Sequence, residues 1–139
     1  MKNDQTLTII KPMAVKNRCA GKILNIITDN GFRISAMKML HMTRDQAKAF
    51  YAVHKDRPFY EDLVTFMTSG PVVVALLKKE DAVEAYRKLI GPTNPKEATE
   101  GTIRHLCGTD IQMNAVHGSD SDENATEEAN FFFSYAERF

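Results

Sequence analysis

"VVVALLKKEDAVEAYRKLI", Val72 to Ile90, decides how the rest of the chain is read. Val72–Leu77 is an unbroken apolar run rich in β-branched residues, bounded by Gly70-Pro71 before it and by charge after it. Such a run predicts a strand covered on both faces, hence a central one. Glu80–Ile90 predicts a helix, with acids at its start and Lys88 near its end, as the helix dipole favours.

Outward from that pair, "TLTIIK" (Thr6–Lys11) reads as a second buried strand, stopped by Pro12. Val15–Thr28 carries Ile23, Ile26 and Ile27 at helical spacing, and Asn30-Gly31 ends it. Phe32–Met42 alternates imperfectly, as a strand. Thr43 reads as the cap of a helix running to about Val53. Pro58 opens the next helix, in the first-turn position proline favours. Gly91–Met113 holds two prolines and three glycines, with a short helical candidate at Thr102–Leu106. Irregular loops of that length are uncommon in compact domains and are often functional. "NAVHG" (Asn114–Gly118) predicts a last short strand, with Ser119 or Asp120 capping a final helix. Without the inserted helix pair, the order is βαββαβ. That is an α/β ferredoxin-like sandwich with an antiparallel sheet and a long loop before the last strand. Residues 1–139 read as one domain.

The formal net charge is zero, with 43% hydrophobic residues. Such a composition supports a packed core and argues against a general nucleic-acid or anionic-membrane surface. Cys19 and Cys107 lie far apart with no CxxC spacing, so a reduced, cytoplasmic chain is expected. The N-terminal stretch is too polar for a signal peptide, and no apolar run reaches the length of a membrane span. Gly21-Lys22 lacks the rest of a P-loop, there is no GxGxxG or GxSxG, and the four histidines show no zinc spacing.

"NAVHGSDSDEN" (Asn114–Asn124) contains the histidine of interest, His117. Taken alone, such a residue is ordinarily solvated or structural. Three neighbours weaken that reading without overturning it. Gly118 permits close approach or a positive-φ turn. A helix N-terminus beyond it favours an anion. The spacing Ser121, Asn124, Ala125, Glu128 lets Glu128 face the same region as Ser121. A carboxylate beside an imidazole holds its tautomer and improves it as a nucleophile.

The stretch "NAVHGSD" resembles the N-x-x-H-G-S-D signature of nucleoside diphosphate kinases. "TLTIIKP", "FYAVHKDRPFYEDLVTFMTSGPVV", "GPTNP", "EGTIR" and "HGSDSDENA" resemble that family too, in its order and spacing, over nearly the whole chain. The resemblance implies transfer of the γ-phosphate of a nucleoside triphosphate to a nucleoside diphosphate, maintaining (d)NTP pools. It implies a ping-pong route through a phosphohistidine at His117, phosphorylated on Nδ1 with Nε2–H tied to the backbone. It further implies phosphate binding by Lys11, Arg87, Thr93 and Arg104. Arginine forks and a compact lysine charge suit phosphate oxygens. Asn114 falls on the sugar-contacting position, with Lys11 sharing that contact. Its odd spacing from His117 predicts a bend or bulge between them. Phe59 matches the base-stacking aromatic, with Tyr60 as its competitor. Tyr51 and Glu128 match supporting residues near the histidine, and Gly118 and Ser119 complete the motif.

No metal ligands are expected from the protein; Mg²⁺ should arrive on the nucleotide phosphates. The resemblance implies a homo-oligomer, tetramer or hexamer, built from dimers. The chain ends at Phe139, without the longer tail of many animal relatives that helps hold hexamers. Met13, Leu106 and Cys107 depart from common family residues. A non-catalytic nucleotide-binding module and a phosphohistidine relay to another protein are the competing functions. The full His117, Lys11 and Arg104 set disfavours the first, and the nucleoside contacts of Phe59 and Asn114 disfavour the second.

Overall fold

The computed structural model describes residues 4–139; the first three, at the head of the stretch read against a signal peptide, lie outside the described residues. In chain order the strands are β1 (Gln5–Ile10), β2 (Arg33–Leu40), β3 (Val72–Lys78) and β4 (Val116–Gly118). The helices are α1 (Pro12–Lys16), α2 (Ala20–Asp29), α3 (Arg44–Phe50), α4 (Tyr60–Met67), α5 (Ala82–Ile90), α6 (Ile103–Cys107) and α7 (Asp122–Phe132). The sheet order is β2-β3-β1-β4, and every neighbouring pair is antiparallel. This is the expected ferredoxin-like sandwich. No helix among the described residues is long and apolar enough to cross a membrane.

β3 is central because both of its faces are covered. Val73, Ala75 and Leu77 pack with Ile23, Ile27 and Tyr86 on one side of the sheet. Val72, Val74 and Leu76 pack with Met67, Ala129 and Phe132 on the other. The period of two along a strand divides one apolar run between two cores. β1 does the same, with Ile10 in the first core and Leu7 and Ile9 in the second.

The imperfect alternation of β2 has a local cause. Its register against β3 shifts between Ile34 and Ala36, leaving Ser35 as an extra residue. A bulge of this kind reverses the phase of the side chains that follow it. Ser35 and Ala36 are consequently both buried, while Met37 and Met39 are exposed.

Several boundaries differ from expectation. The helix expected over Val15–Thr28 is two helices, because Arg18 adopts φ 62° between α1 and α2. Pro58 precedes α4 rather than opening it; Phe59 is the N-cap. Thr43 does cap α3, in a reciprocal capping box with Gln46. Ser121, not Ser119 or Asp120, caps α7, its hydroxyl accepting from the Asn124 N–H at 3.1 Å. The last strand is shorter than "NAVHG" and begins at Val116.

The cysteines correct a further expectation. Cys19 and Cys107, 88 residues apart in sequence, form a disulfide with a Cα–Cα distance of 6.3 Å. Spacing along the chain carried no sign of it, because the fold brings the start of α2 against the end of α6.

Candidate active site

β1 and β4 run side by side, pairing Ile9 with His117 and Ile10 with Val116. The end of β1 thus brings Lys11 beside the segment leading into β4, and the Lys11 N–H donates to the Ala115 carbonyl at 2.9 Å. The Lys11 ammonium donates to Asn114 Oδ1 at 2.8 Å and to the Gln112 carbonyl at 3.4 Å. The Asn114 amide in turn donates to the Thr93 carbonyl at 3.1 Å. Three of the expected residues are therefore linked, although they come from three separate parts of the chain.

Between Asn114 and His117 the expected bend is present. Ala115 has φ 78°, and the Val116 N–H donates back to the Asn114 carbonyl at 3.0 Å. A hydrogen bond across one residue at positive φ is a tight γ-turn, a strained backbone for alanine. The turn lets Asn114 face Lys11 while the chain straightens into β4.

Arg104, on α6, holds the loop to that strand. Nε donates to the Asn114 carbonyl at 3.3 Å, Nη1 to Gly91 at 3.0 Å and Nη2 to Val116 at 3.0 Å. Arg87, Thr93 and Arg104 line one cleft of about 540 Å³. Arg87 also borders a second cleft, of about 500 Å³, with Asp120, Ser121 and Asp122. His117 does not line the first cleft. It lies one residue along β4 from the Val116 carbonyl that Arg104 binds.

Burial taxes this cationic cluster. It pushes the Lys11 ammonium down to about 8, with Arg104's charge acting the same way and Asp110's opposing it. Burial also pushes Arg104 down to about 10, which leaves it charged at neutral pH. Two cations held in so little water form a site that favours an added anion.

His117 sits on the other side of β4, against α3 and α7. Its Nε2 lies 2.9 Å from Glu128 Oε1. The expectation that Nε2–H is tied to the backbone is corrected: its partner is the Glu128 carboxylate. A neutral imidazole facing a carboxylate donates from that nitrogen, so Nδ1 keeps its lone pair. The Ser119 hydroxyl donates to the same Oε1 at 2.7 Å and accepts from the Leu7 N–H at 3.0 Å. Serine 119 is fully buried, so its hydroxyl fixes Glu128 instead of capping a helix. Sequence reasoning placed Ser119 in the motif but gave it no such role; a partner 112 residues away leaves no mark in local spacing.

Gly118 has an ordinary φ, so the positive-φ turn allowed for it is absent. Close approach is what it supplies: a Cβ there would sit 3.1 Å from both Ile90 Cδ1 and Tyr86 Cδ2. Tyr86 cannot readily yield, since its hydroxyl is hydrogen-bonded to Thr8 Oγ1 at 2.6 Å. Phe50 was missed by the sequence reading; its ring packs edge-on to His117 at 5.4 Å. A half-buried aromatic at the end of a helix looks like any core residue, and nothing in the sequence marks it out.

Tyr51 is also near His117, at 6.5 Å between ring centroids. Its hydroxyl is buried without a hydrogen-bond partner, and burial and the Glu128 charge both push its pKa up. An unpartnered buried phenol is costly and stands ready to donate to an incoming acceptor. Phe59 is 48% exposed and tilts against His54 at 5.3 Å, apart from the hydrogen-bonded cluster. Tyr60, its neighbour, has its hydroxyl engaged in a hydrogen bond to the Lys48 carbonyl at 3.0 Å.

The family model described as nucleoside diphosphate kinase matches residues 4–138. A nucleoside diphosphate kinase of Campylobacter concisus is 58% identical over 133 residues, covering 96% of this chain and 97% of the relative. One of Chlamydia trachomatis is 54% identical over 134 residues, covering 96% and 95%. The crystal structure of the Aquifex aeolicus nucleoside diphosphate kinase superposes with a TM-score of 0.96 at 46% identity, covering 98% and 99%. The structure of a halophilic nucleoside diphosphate kinase from Halobacterium salinarum, in complex with CDP, gives 0.92 at 32%, covering 99% and 91%. With sequence and fold alike matched along nearly its full length, the chain belongs to the nucleoside diphosphate kinase family of phosphotransferases.

Proposed function

We propose that this chain transfers the γ-phosphate of a nucleoside triphosphate to a nucleoside diphosphate by a ping-pong route, with His117 as the carrier. The observation that carries this reading is the His117–Glu128 pair: with Nε2 committed to the carboxylate, Nδ1 is left as the nucleophile. In the first half-reaction Nδ1 bonds to the γ-phosphorus while the bond to the bridging oxygen breaks, and the nucleoside diphosphate leaves. In the second, a terminal oxygen of another nucleoside diphosphate attacks the same phosphorus, and the P–N bond breaks. Glu128 balances the positive charge on the phosphorylated ring. Two encounters of one nucleotide each replace a single encounter of two polyanions.

Lys11, Arg87, Thr93 and Arg104 bind phosphate oxygens and stabilise the charge that builds on them during transfer. Support comes from their donor chemistry and from the shared cleft of Arg87, Thr93 and Arg104. Asn114 and Lys11 contact the sugar. Phe59, exposed and aromatic, stacks on the base, which tolerates any base because each has a π-face. Tyr51, Gly118 and Ser119 support His117. The CDP bound to the Halobacterium relative supports a nucleoside diphosphate as acceptor. Mg²⁺ comes in with the substrate phosphates and neutralises part of their charge. The chain works as one domain and, in the cytoplasm, as a homo-oligomer built from dimers, tetramer or hexamer, maintaining (d)NTP pools.

The test is to incubate the chain with Mg²⁺ and γ-labelled ATP, then add a different nucleoside diphosphate. An acid-labile, base-stable phosphoprotein should form and discharge onto the diphosphate, and His117→Ala should take up no label. Label that persists in that variant would falsify the mechanism.

A further inference from the structure

Cys19 is the N-cap residue of α2, and Cys107 is the last residue of α6. Their bond ties the long segment between α5 and β4 to a helix at the far end of the sequence. α6 has five residues, too short to hold its own shape in water. Its position therefore depends on clamps. Arg104 provides one through three carbonyls. Gly108 provides another: it lies so tight on the loop that an added Cβ would be 2.6 Å from Pro95 Cγ. The fully buried Ile103 anchors the start of α6 in the core, and the disulfide adds the one covalent clamp, at its end. Cys107 follows Arg104 by three residues, about one helical turn, so holding Cys107 holds the stem of Arg104.

We propose that the Cys19–Cys107 pair is a redox latch on the phosphate cleft. In the disulfide state it fixes α6 and the aim of Arg104. In the dithiol state it releases the Gly91–Asn114 segment and weakens capture of the nucleotide phosphates. The ligand named here rests on the phosphotransfer reading above; the latch itself rests on the pairing and the clamps. Cys19 is buried and Cys107 only partly so, which makes Cys107 the more exposed half of the pair and the side from which a reductant enters. A thiolate of a dithiol reductant bonds to Cys107 Sγ, the S–S bond breaks, and Cys19 leaves as a thiolate that takes a proton. The reductant's second thiol then attacks the mixed disulfide, freeing Cys107 and closing the reductant into its own disulfide. Two electrons and two protons pass to the protein. A small-molecule disulfide such as oxidised glutathione reverses the exchange and becomes two thiols.

The whole chain is oxidised with glutathione disulfide, and half is then reduced with dithiothreitol. Alkylation and mass analysis count free thiols, hydrogen exchange follows amides 103–116, and steady-state kinetics separate KM from kcat. Reduction should expose two alkylatable thiols and speed exchange at Arg104–Gly108 by roughly tenfold. It should also raise KM for the nucleoside diphosphate severalfold more than it changes kcat. Cys19→Ser and Cys107→Ser should match the reduced wild type with or without dithiothreitol. Two free thiols before reduction, or exchange and KM alike in both states, overturn the latch. Faster exchange with an unchanged KM overturns its control of the cleft. A redox-dependent exchange in a chain that transfers no phosphate leaves the latch standing and removes the phosphotransfer reading.

Discussion

Neutralising Lys11 is the sharpest probe of the cationic cluster. Its ammonium is held at about 8 in the folded chain, against an ordinary value of 10.5. A base with a lowered folded pKa is bound to fewer protons when folded than when unfolded, between those two values. Stability therefore rises with pH through that window, and the penalty for burying the charge is fully present below about pH 8. Between about pH 7.5 and about pH 9.5 the gain works out at about 2 kcal/mol. Lys11→Met removes this dependence. It also leaves Asn114 Oδ1 without its donor, at a cost of roughly 1–3 kcal/mol that does not vary with pH. Urea unfolding of both chains, at one protein concentration across that range, isolates the titrating part as the change in their difference. The range stays below the ordinary tyrosine pKa, where the raised Tyr51 and Tyr86 begin to act with the opposite sign. Nucleotide binding adds a second readout. A phosphate held by Lys11 keeps it protonated, so affinity should fall about tenfold per pH unit well above pH 8 in the wild type, with proton uptake, but not in the variant. Parallel stability curves, with an affinity equally flat in both chains, would refute a buried, phosphate-directed Lys11.

Glu128→Ala should slow His117 phosphorylation on the order of a hundredfold and Glu128→Gln roughly tenfold, because glutamine keeps the acceptor and loses the charge. Rapid-quench labelling measures both, and rates equal to wild type would remove Glu128 from the mechanism. Gly118→Ala should destabilise the chain by about 1–3 kcal/mol, since the new methyl meets Ile90 and the hydrogen-bonded Tyr86 at 3.1 Å. Thermal or urea unfolding checks it, and a change within about 0.5 kcal/mol would show that β4 shifts freely.

Much of the fold was legible because its signals are local. The run Val72–Leu77 is apolar on both faces and proved central. Thr43 with Gln46 is a capping box whose residues are three apart. The His117 motif was visible for the same reason. Errors arose where two local signals competed. Serines 119 and 121 and Asp120 are all chemically able to cap α7, and only their burial and partners distinguish them. Pro58 suits the first turn of a helix, but here it belongs to the turn before α4.

By itself, the sequence determined the strands and helices, their apolar faces, and a histidine motif with its family resemblance. Periodicity carries this information because side-chain direction repeats within a few residues. Tertiary structure alone decided which distant groups meet. It set Ser119 between Leu7 and Glu128, and His117 Nε2 on a carboxylate rather than the backbone. It also joined Cys19 to Cys107. These contacts depend on how layers stack and how β4 registers on β1. Stacking and register are properties of the assembled sheet, and no short window of sequence contains them.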